Sequence, residues 1–146
     1  MRVAIDAVGK IKERGVREAI DDYVARLRRY ATFEEIELKD GDTAEVTARF
    51  RKAIPERARV VALEVEGESW SSERLAKFLG DCAVHAVPSL AFVIGGSYGL
   101  PPEISRAAHV RVSLSAMTLP HRLARLVLAE QIYRGFTILR GEPYSH

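Results

Sequence analysis

Hydrophobic positions along the chain change their period repeatedly. Residues 2–8 form a nearly unbroken apolar run, as a buried strand requires. Val16, Ile20, Tyr23, Val24 and Leu27 then recur at three- and four-residue spacing, which predicts a helix over 15–30 with one apolar face. A second strand is expected over 33–38. Asp40, Gly41, Asp42 and Thr43 supply a turn and a cap, and a helix over 43–54 should stop before Pro55. A third strand reads over 59–65. Ser71 and Ser72, with Glu73 in the first turn, mark the start of a helix running to about His85. The pattern closes with a strand over 90–94, a short helix over 101–108, a strand over 110–114 and a long helix over 119–139, with Pro120 in its first turn. Strands alternating with helices imply an α/β domain, a parallel sheet with helices on both faces.

With 146 residues, one domain covering 1–146 is expected, large enough for an ordinary core. No apolar stretch approaches the length of a membrane span and the N-terminus has no signal-peptide pattern, so a cytoplasmic protein with no membrane partner is expected. The single cysteine, Cys82, excludes an internal disulfide framework and offers no zinc spacing; no metal site is expected. Net charge is only +2, but arginines are grouped: Arg26, Arg28 and Arg29 near one helix end, and Arg122, Arg125, Arg134 and Arg140 along the last helix. Arginine suits bidentate phosphate recognition. Solvated helix faces are the plainer alternative.

Candidate chemistry lies where strands end. The first strand is followed by Gly9 and Gly15 without the G-x-G-x-x-G spacing of a dinucleotide fold, and no Walker A loop occurs. The glycines gather instead after the fourth strand, as Gly95, Gly96 and Gly99, where paired glycines permit positive φ and close approach of the backbone to a flat ligand. If the third, fourth and fifth strands are neighbours, Leu63-Glu64, 95–99 and 114–119 share one rim. Leu63, Met117 and Leu119 would then sandwich an adenine while backbone groups read its edge. Open parallel sheets bind ligands at such carboxyl ends.

Three ordered segments carry a specific resemblance. They are Phe92-Val-Ile-Gly-Gly-Ser-Tyr-Gly-Leu100, Ser113-Leu-Ser-Ala-Met-Thr-Leu-Pro-His121 and Arg125-Leu-Val-Leu-Ala-Glu-Gln-Ile-Tyr-Arg134, followed by Gly141-Glu-Pro-Tyr144. Together they resemble the RlmH family of the SPOUT superfamily, bacterial enzymes that methylate a pseudouridine of large-subunit ribosomal RNA. The likeness extends over the whole chain, with residues 3–10 and 63–67, ahead of Ser71 and Ser72, also resembling family segments. It implies a C-terminal trefoil knot holding S-adenosylmethionine, with cofactor contacts at Leu63, Gly95, Gly96, Leu114, Ser115, Ala116, Met117, Thr118 and Leu119. It implies a homodimer that pairs through the last helix and completes its site near the subunit interface. The implied substrate is 23S ribosomal RNA, taken as part of the assembled ribosome.

The implied reaction moves a methyl group from the sulfonium of S-adenosylmethionine to N3 of pseudouridine. Alignment and water exclusion do most of the work, and the N3 proton must leave. Arg134, Tyr144 and His146 are the candidate catalytic residues: Arg134 for a phosphate or the developing anion, Tyr144 for stacking on the base, His146 for a proton. Against these stand an ordinary helix-face arginine, a tail packing anchor and a frayed terminus. The tail departs from the family pattern in placing Ser145 directly after Tyr144, with His146 one position later. Glu130 has an ordinary intrahelical partner available in Arg134, four residues on. His121 is expected to steady its loop, and Trp70 to pack beneath the loop after the third strand. The alternatives are a SPOUT methyltransferase with another RNA target and an inactive ribosome-associated factor.

Overall fold

The computed structural model describes residues 1–144; Ser145 and His146, and with them the expectation for His146, lie outside the described residues. Ten elements follow in order: β1 (Arg2–Val8), α1 (Arg14–Leu27), β2 (Thr32–Leu38), α2 (Thr43–Ala53), β3 (Ala58–Ser69), α3 (Ser72–Val84), β4 (Ser89–Ile94), α4 (Pro102–Ala107), β5 (Val110–Ser113) and α5 (His121–Arg140). The strands form one parallel sheet in the order β2-β1-β4-β3-β5.

Alternation along β1 divides the core. Val3, Ile5 and Ala7 point to the face covered by α1, α3 and α5, in a cluster with Ile20, Leu27, Leu79, Phe92 and Leu128. Val8 joins Phe50, Val60, Val93 and Ile104 on the face covered by α2 and α4. The connections stepping towards β2, through α1 and α3, lie on one face; those stepping towards β5, through α2 and α4, lie on the other. A uniform crossover hand requires this division.

Local chemistry sets the helix ends. Asp42 and Glu45 form a reciprocal capping box on α2. Ser71 Oγ accepts from Arg74 N at 3.0 Å at the start of α3. Gly141, at φ +64°, closes α5 in the left-handed conformation that glycine tolerates best. Pro120 precedes the first turn of α5 as its cap, because the helix begins at His121, two positions after the expected start.

The largest departure from the expected elements is β3. It runs through Ser69, four residues beyond the expected end, because its pairing with β5 is interrupted: Leu63 and Glu68 both face Val112. Residues 64–67 bulge out between them. Gly67 is needed where the chain returns, since a Cβ there would stand 2.6 Å from Val112 N. Such bulges re-aim side chains, and this one faces the cavity described next.

Candidate active site

Because β4, β3 and β5 are adjacent, their carboxyl ends open on a common cavity of about 630 Å³. Its lining includes Leu63, Gly95, Gly96, Leu114, Ser115, Met117, Thr118 and Leu119. Ala116, in the same loop, is exposed and outside the lining. The bulge adds Glu64, Val65 and Glu66, and the start of α5 adds Pro120, His121 and Ala124. Large apolar side chains stand exposed around the mouth: Tyr98 is fully exposed and Met117 is 78% exposed. Apolar surface concentrated in this way marks a binding site more often than a solvated face.

The glycine loop is built differently from the expectation of positive φ at the paired glycines. Of Gly95, Gly96 and Gly99, only Gly99 has positive φ, at +80°. Gly95 is required for a second reason: a Cβ there would lie 2.2 Å from the carbonyl carbon of Gly99 and 2.4 Å from Leu100 N. The constraint is thus the loop folding on itself, closed by Gly99 N donating to Gly96 O at 3.0 Å. Gly96 sits tightly over Val8, with Cβ space limited to 3.1 Å. The facing loop is held by Ser115, whose Oγ accepts from Met117 N at 3.0 Å, and by Ser113 Oγ donating to Ser115 O at 2.9 Å. Both walls are therefore pre-formed from short-range contacts.

A second cavity, of about 300 Å³, shares Leu63, Ser113 and Leu114 and continues between α3 and α5 past Trp70, Val127 and Gln131. Trp70 packs against Phe78 with ring centroids 5.2 Å apart and lies under Arg74, as its packing role required.

Arg134 and Tyr144 belong to another place. Arg134 lies ten residues beyond Ala124 on α5, roughly 15 Å along the axis at about 1.5 Å per residue. It bonds Glu130 at 2.7 and 3.1 Å and lies over the Tyr144 ring at 5.0 Å. Tyr144 is anchored by packing: it donates to Glu130 at 2.9 Å, meets Tyr23 Oη at 3.2 Å and sets its edge against Tyr133. Burial pushes its phenol well above the ordinary 10, with the Tyr23 and Glu130 contacts adding to the rise. Tyr144 therefore keeps its proton at neutral pH and serves as a donor or a ring, not as a base. Glu130 has Arg134 as its intrahelical partner, as the spacing predicted.

Arg125 is not a surface cation. Fully buried, it pairs with Glu35 at 3.1 Å and Glu37 at 2.5 Å and donates to Gly9 O at 2.9 Å. Arg17 closes the same network on Glu35 and Glu37. The network ties the second turn of α5 to edge strand β2 and the end of β1. Arg122 is paired with Glu13. Among the described residues no group of three metal-ligating side chains occurs, and no helix is long and apolar enough to cross a membrane.

Comparison with known proteins agrees with this architecture over its full length. A family described as "Predicted SPOUT methyltransferase" matches residues 1–146. The ribosomal RNA large subunit methyltransferase H of Sorangium cellulosum is 47% identical over 146 residues, covering 100% of both chains. Proteins of the same name from Bifidobacterium animalis and Streptococcus uberis are 43% and 40% identical over 157 aligned positions, with 99% of each chain covered. A five-stranded parallel sheet with helices on both faces, strand ends converging on one cavity and similarity from end to end lead to one conclusion: the chain belongs to the SPOUT methyltransferase family.

Proposed function

We propose that this protein transfers a methyl group from S-adenosylmethionine to N3 of a pseudouridine in 23S ribosomal RNA, acting as a homodimer on the assembled ribosome. The observation that carries this reading is the convergence of Leu63, Gly95, Gly96 and 114–119 on one cavity. That cavity falls within the roughly 300–1,000 Å³ range of small-molecule sites. Its composition suits the donor: Leu63, Leu119 and Met117 offer apolar surface for a purine, and the turns after β4 and β5 offer backbone groups for its polar edge. The bound donor would supply an already activated methyl group, so this chain's residues have to align, shield and neutralise.

Those tasks divide between two places. The loops at 95–99 and 114–119 hold and enclose the donor. Arg134, fixed by Glu130 and stacked on Tyr144, supplies a positive charge for the anion that develops on the uracil ring as its N3 proton leaves. Tyr144 keeps its own proton and holds the arginine plane in place. Because Arg134 stands roughly 15 Å along α5 from the cavity of its own subunit, a homodimer in which one subunit's arginine meets its partner's cavity reconciles the two. Exposed Leu123 and half-buried Leu126 and Val127, on the same helix, provide apolar surface for that pairing. The C-terminal knot implied by the family resemblance would fix the 114–119 loop against the 95–99 loop.

The test is mass spectrometry of digested ribosomal RNA before and after incubation of unmodified ribosomes with protein and S-adenosylmethionine. The expected product is N3-methylpseudouridine at one position. Methylation of a different nucleotide, or none despite tight donor binding, contradicts the reading.

A further inference from the structure

The arginines singled out near the end of the first helix are joined in the fold by one from the last. Arg26, Arg28, Arg29 and Arg140 are all exposed, and the ends of α1 and α5 bring Arg26, Arg29 and Arg140 over a common floor of aromatic rings, with Arg28 beside them in sequence. Tyr30 stacks on Phe136 with planes 3° from parallel, and Tyr133 packs against Tyr23, Tyr30 and Tyr144. Arg29 and Arg140 lie 5.2 and 5.0 Å from the Tyr30 centroid; Arg26 lies 5.5 Å from that of Tyr23 and 5.6 Å from that of Tyr133. Stacking engages the flat face of a guanidinium and leaves its edge donors for an acceptor, ordered in advance.

Few carboxylates compete for those donors. Asp22 pairs with Arg26 at 3.0 Å. Glu142 reaches Arg29 only at 3.5 Å and already accepts the Tyr30 hydroxyl at 2.8 Å. Arg28 and Arg140 make no ion pair among the described residues. Cations at helix C-termini do complement the backbone dipole, which accounts for Arg26 and Arg140 singly. It does not account for three arginines, Arg26, Arg29 and Arg140, drawn from two helix ends onto one aromatic floor. The cavity rim instead carries Glu64 and Glu66, with Arg111 3.9 Å from Glu64. A chain of net charge +2 is thus locally polarised, cationic where Arg134 and Tyr144 stand.

We infer that this arginine–tyrosine surface docks the phosphodiester backbone of folded RNA beside the nucleotide to be methylated. The inference rests on the RNA methyltransferase reading above and assigns the surface that recognises the substrate. Guanidinium edges pair bidentately with phosphate oxygens, fixing position without reading bases. Arg134 and Tyr144 share the aromatic floor, so a strand held by Arg28, Arg29 and Arg140 brings its bases to them.

The experiment is a salt titration of binding, with the full-length wild type and the Arg28→Gln/Arg29→Gln/Arg140→Gln variant. The probes are a protein-free 23S ribosomal RNA transcript and whole ribosomes, with S-adenosylmethionine affinity measured alongside. The variant should bind both RNA probes at least about tenfold more weakly. Its dependence of log affinity on log salt should flatten by about 2, since each phosphate contact contributes about 0.7–0.9. Donor affinity should be unchanged, and lysine at the three positions should restore most of the slope. Arg28→Gln alone, which touches no ring or carboxylate among the described residues, should flatten the slope by about 1. Equal affinity and slope for wild type and triple variant would overturn the inference. So would a loss confined to ribosomes, which would assign the surface to a ribosomal protein. Because the readout is binding, arginine-dependent RNA affinity without a methylated product would sink the proposed reaction and leave the surface standing.

Discussion

The two ends of α5 differ in almost every physical respect. At its N-terminus, Pro120, His121 and Ala124 close an apolar cavity whose walls are glycine and serine turns and whose rim carries Glu64 and Glu66. At its C-terminus, Arg134 and Arg140 sit over tyrosine rings beside the arginines of α1. The first end is hollow and pre-formed; the second is filled, cationic and aromatic. Each is chemically incomplete for methylating RNA. A cavity can hold a donor but has no cation for the acceptor, and the arginine surface has no room for a donor. On the proposed reading, one helix supplies both halves of a site without bringing them together in one subunit.

Arg125 stands just past the cavity end of α5, and its removal should break the comparison most severely. Arg125→Leu removes the buried half of the network, leaves Glu35 and Glu37 with Arg17 alone and frees α5 from β2. Urea unfolding should register a loss of about 3–5 kcal/mol, the usual cost of breaking a buried ion pair from one side. A loss below about 1 kcal/mol would show that the network does not hold the helix.

Asp6 lies outside both ends and sharpens the comparison by separating stability from transfer. Its carboxylate is fully buried on β1 with neither oxygen bonded, and burial, with Glu34 adding to it, raises its pKa from 3.8 to about 7. The folded state therefore keeps a proton that the unfolded chain sheds above about pH 4. Stability should fall as pH rises from about 4 to about 7 and level off beyond, losing up to about 4 kcal/mol through this group. Asp6→Asn should flatten that slope in unfolding measured across pH, and a slope unchanged in the variant would remove Asp6 as its source.

Arg134→Ala should lower methyl transfer about 100-fold, in the range found for removing one preorganised charge stabiliser. Donor affinity measured by calorimetry should stay the same. Normal turnover would remove Arg134 from the reaction. Gly95→Val tests the other end and should weaken donor binding about tenfold. The branched side chain meets the backbone of Gly99 and Leu100, so the loop must open to admit it. A Gly95→Val protein binding S-adenosylmethionine normally would place the donor elsewhere.

Much of this division could be read from residue order. The strands were legible because largely apolar runs such as 2–8 and 90–94 are short and bounded by turn formers. Their adjacency was posed as a condition, and β4-β3-β5 satisfies it. The bulge was hidden because Leu63, Glu64, Val65 and Glu66 alternate as a continuing strand would; only pairing with Val112 on both sides reveals the loop. Val65 and Glu66 were missed as cavity residues for that reason. Arg125 was read with the other helix arginines because sequence does not tell a buried cation from an exposed one. Its partners lie 88 and 90 residues away. The packing of Tyr144 was equally long-range, depending on Tyr23 across 121 residues.

The most direct test of a divided site is to mix its two broken halves. Gly95→Val subunits bind the donor weakly and Arg134→Ala subunits lack the cation, so with donor held well below saturation each homodimer should keep no more than about a tenth of wild-type activity on ribosomes. Equal mixing with subunit exchange should form dimers in which one of two sites pairs an intact cavity with an intact arginine, restoring about a quarter of wild-type methyl transfer. A mixture no more active than the average of its separate components would contradict a site shared between subunits.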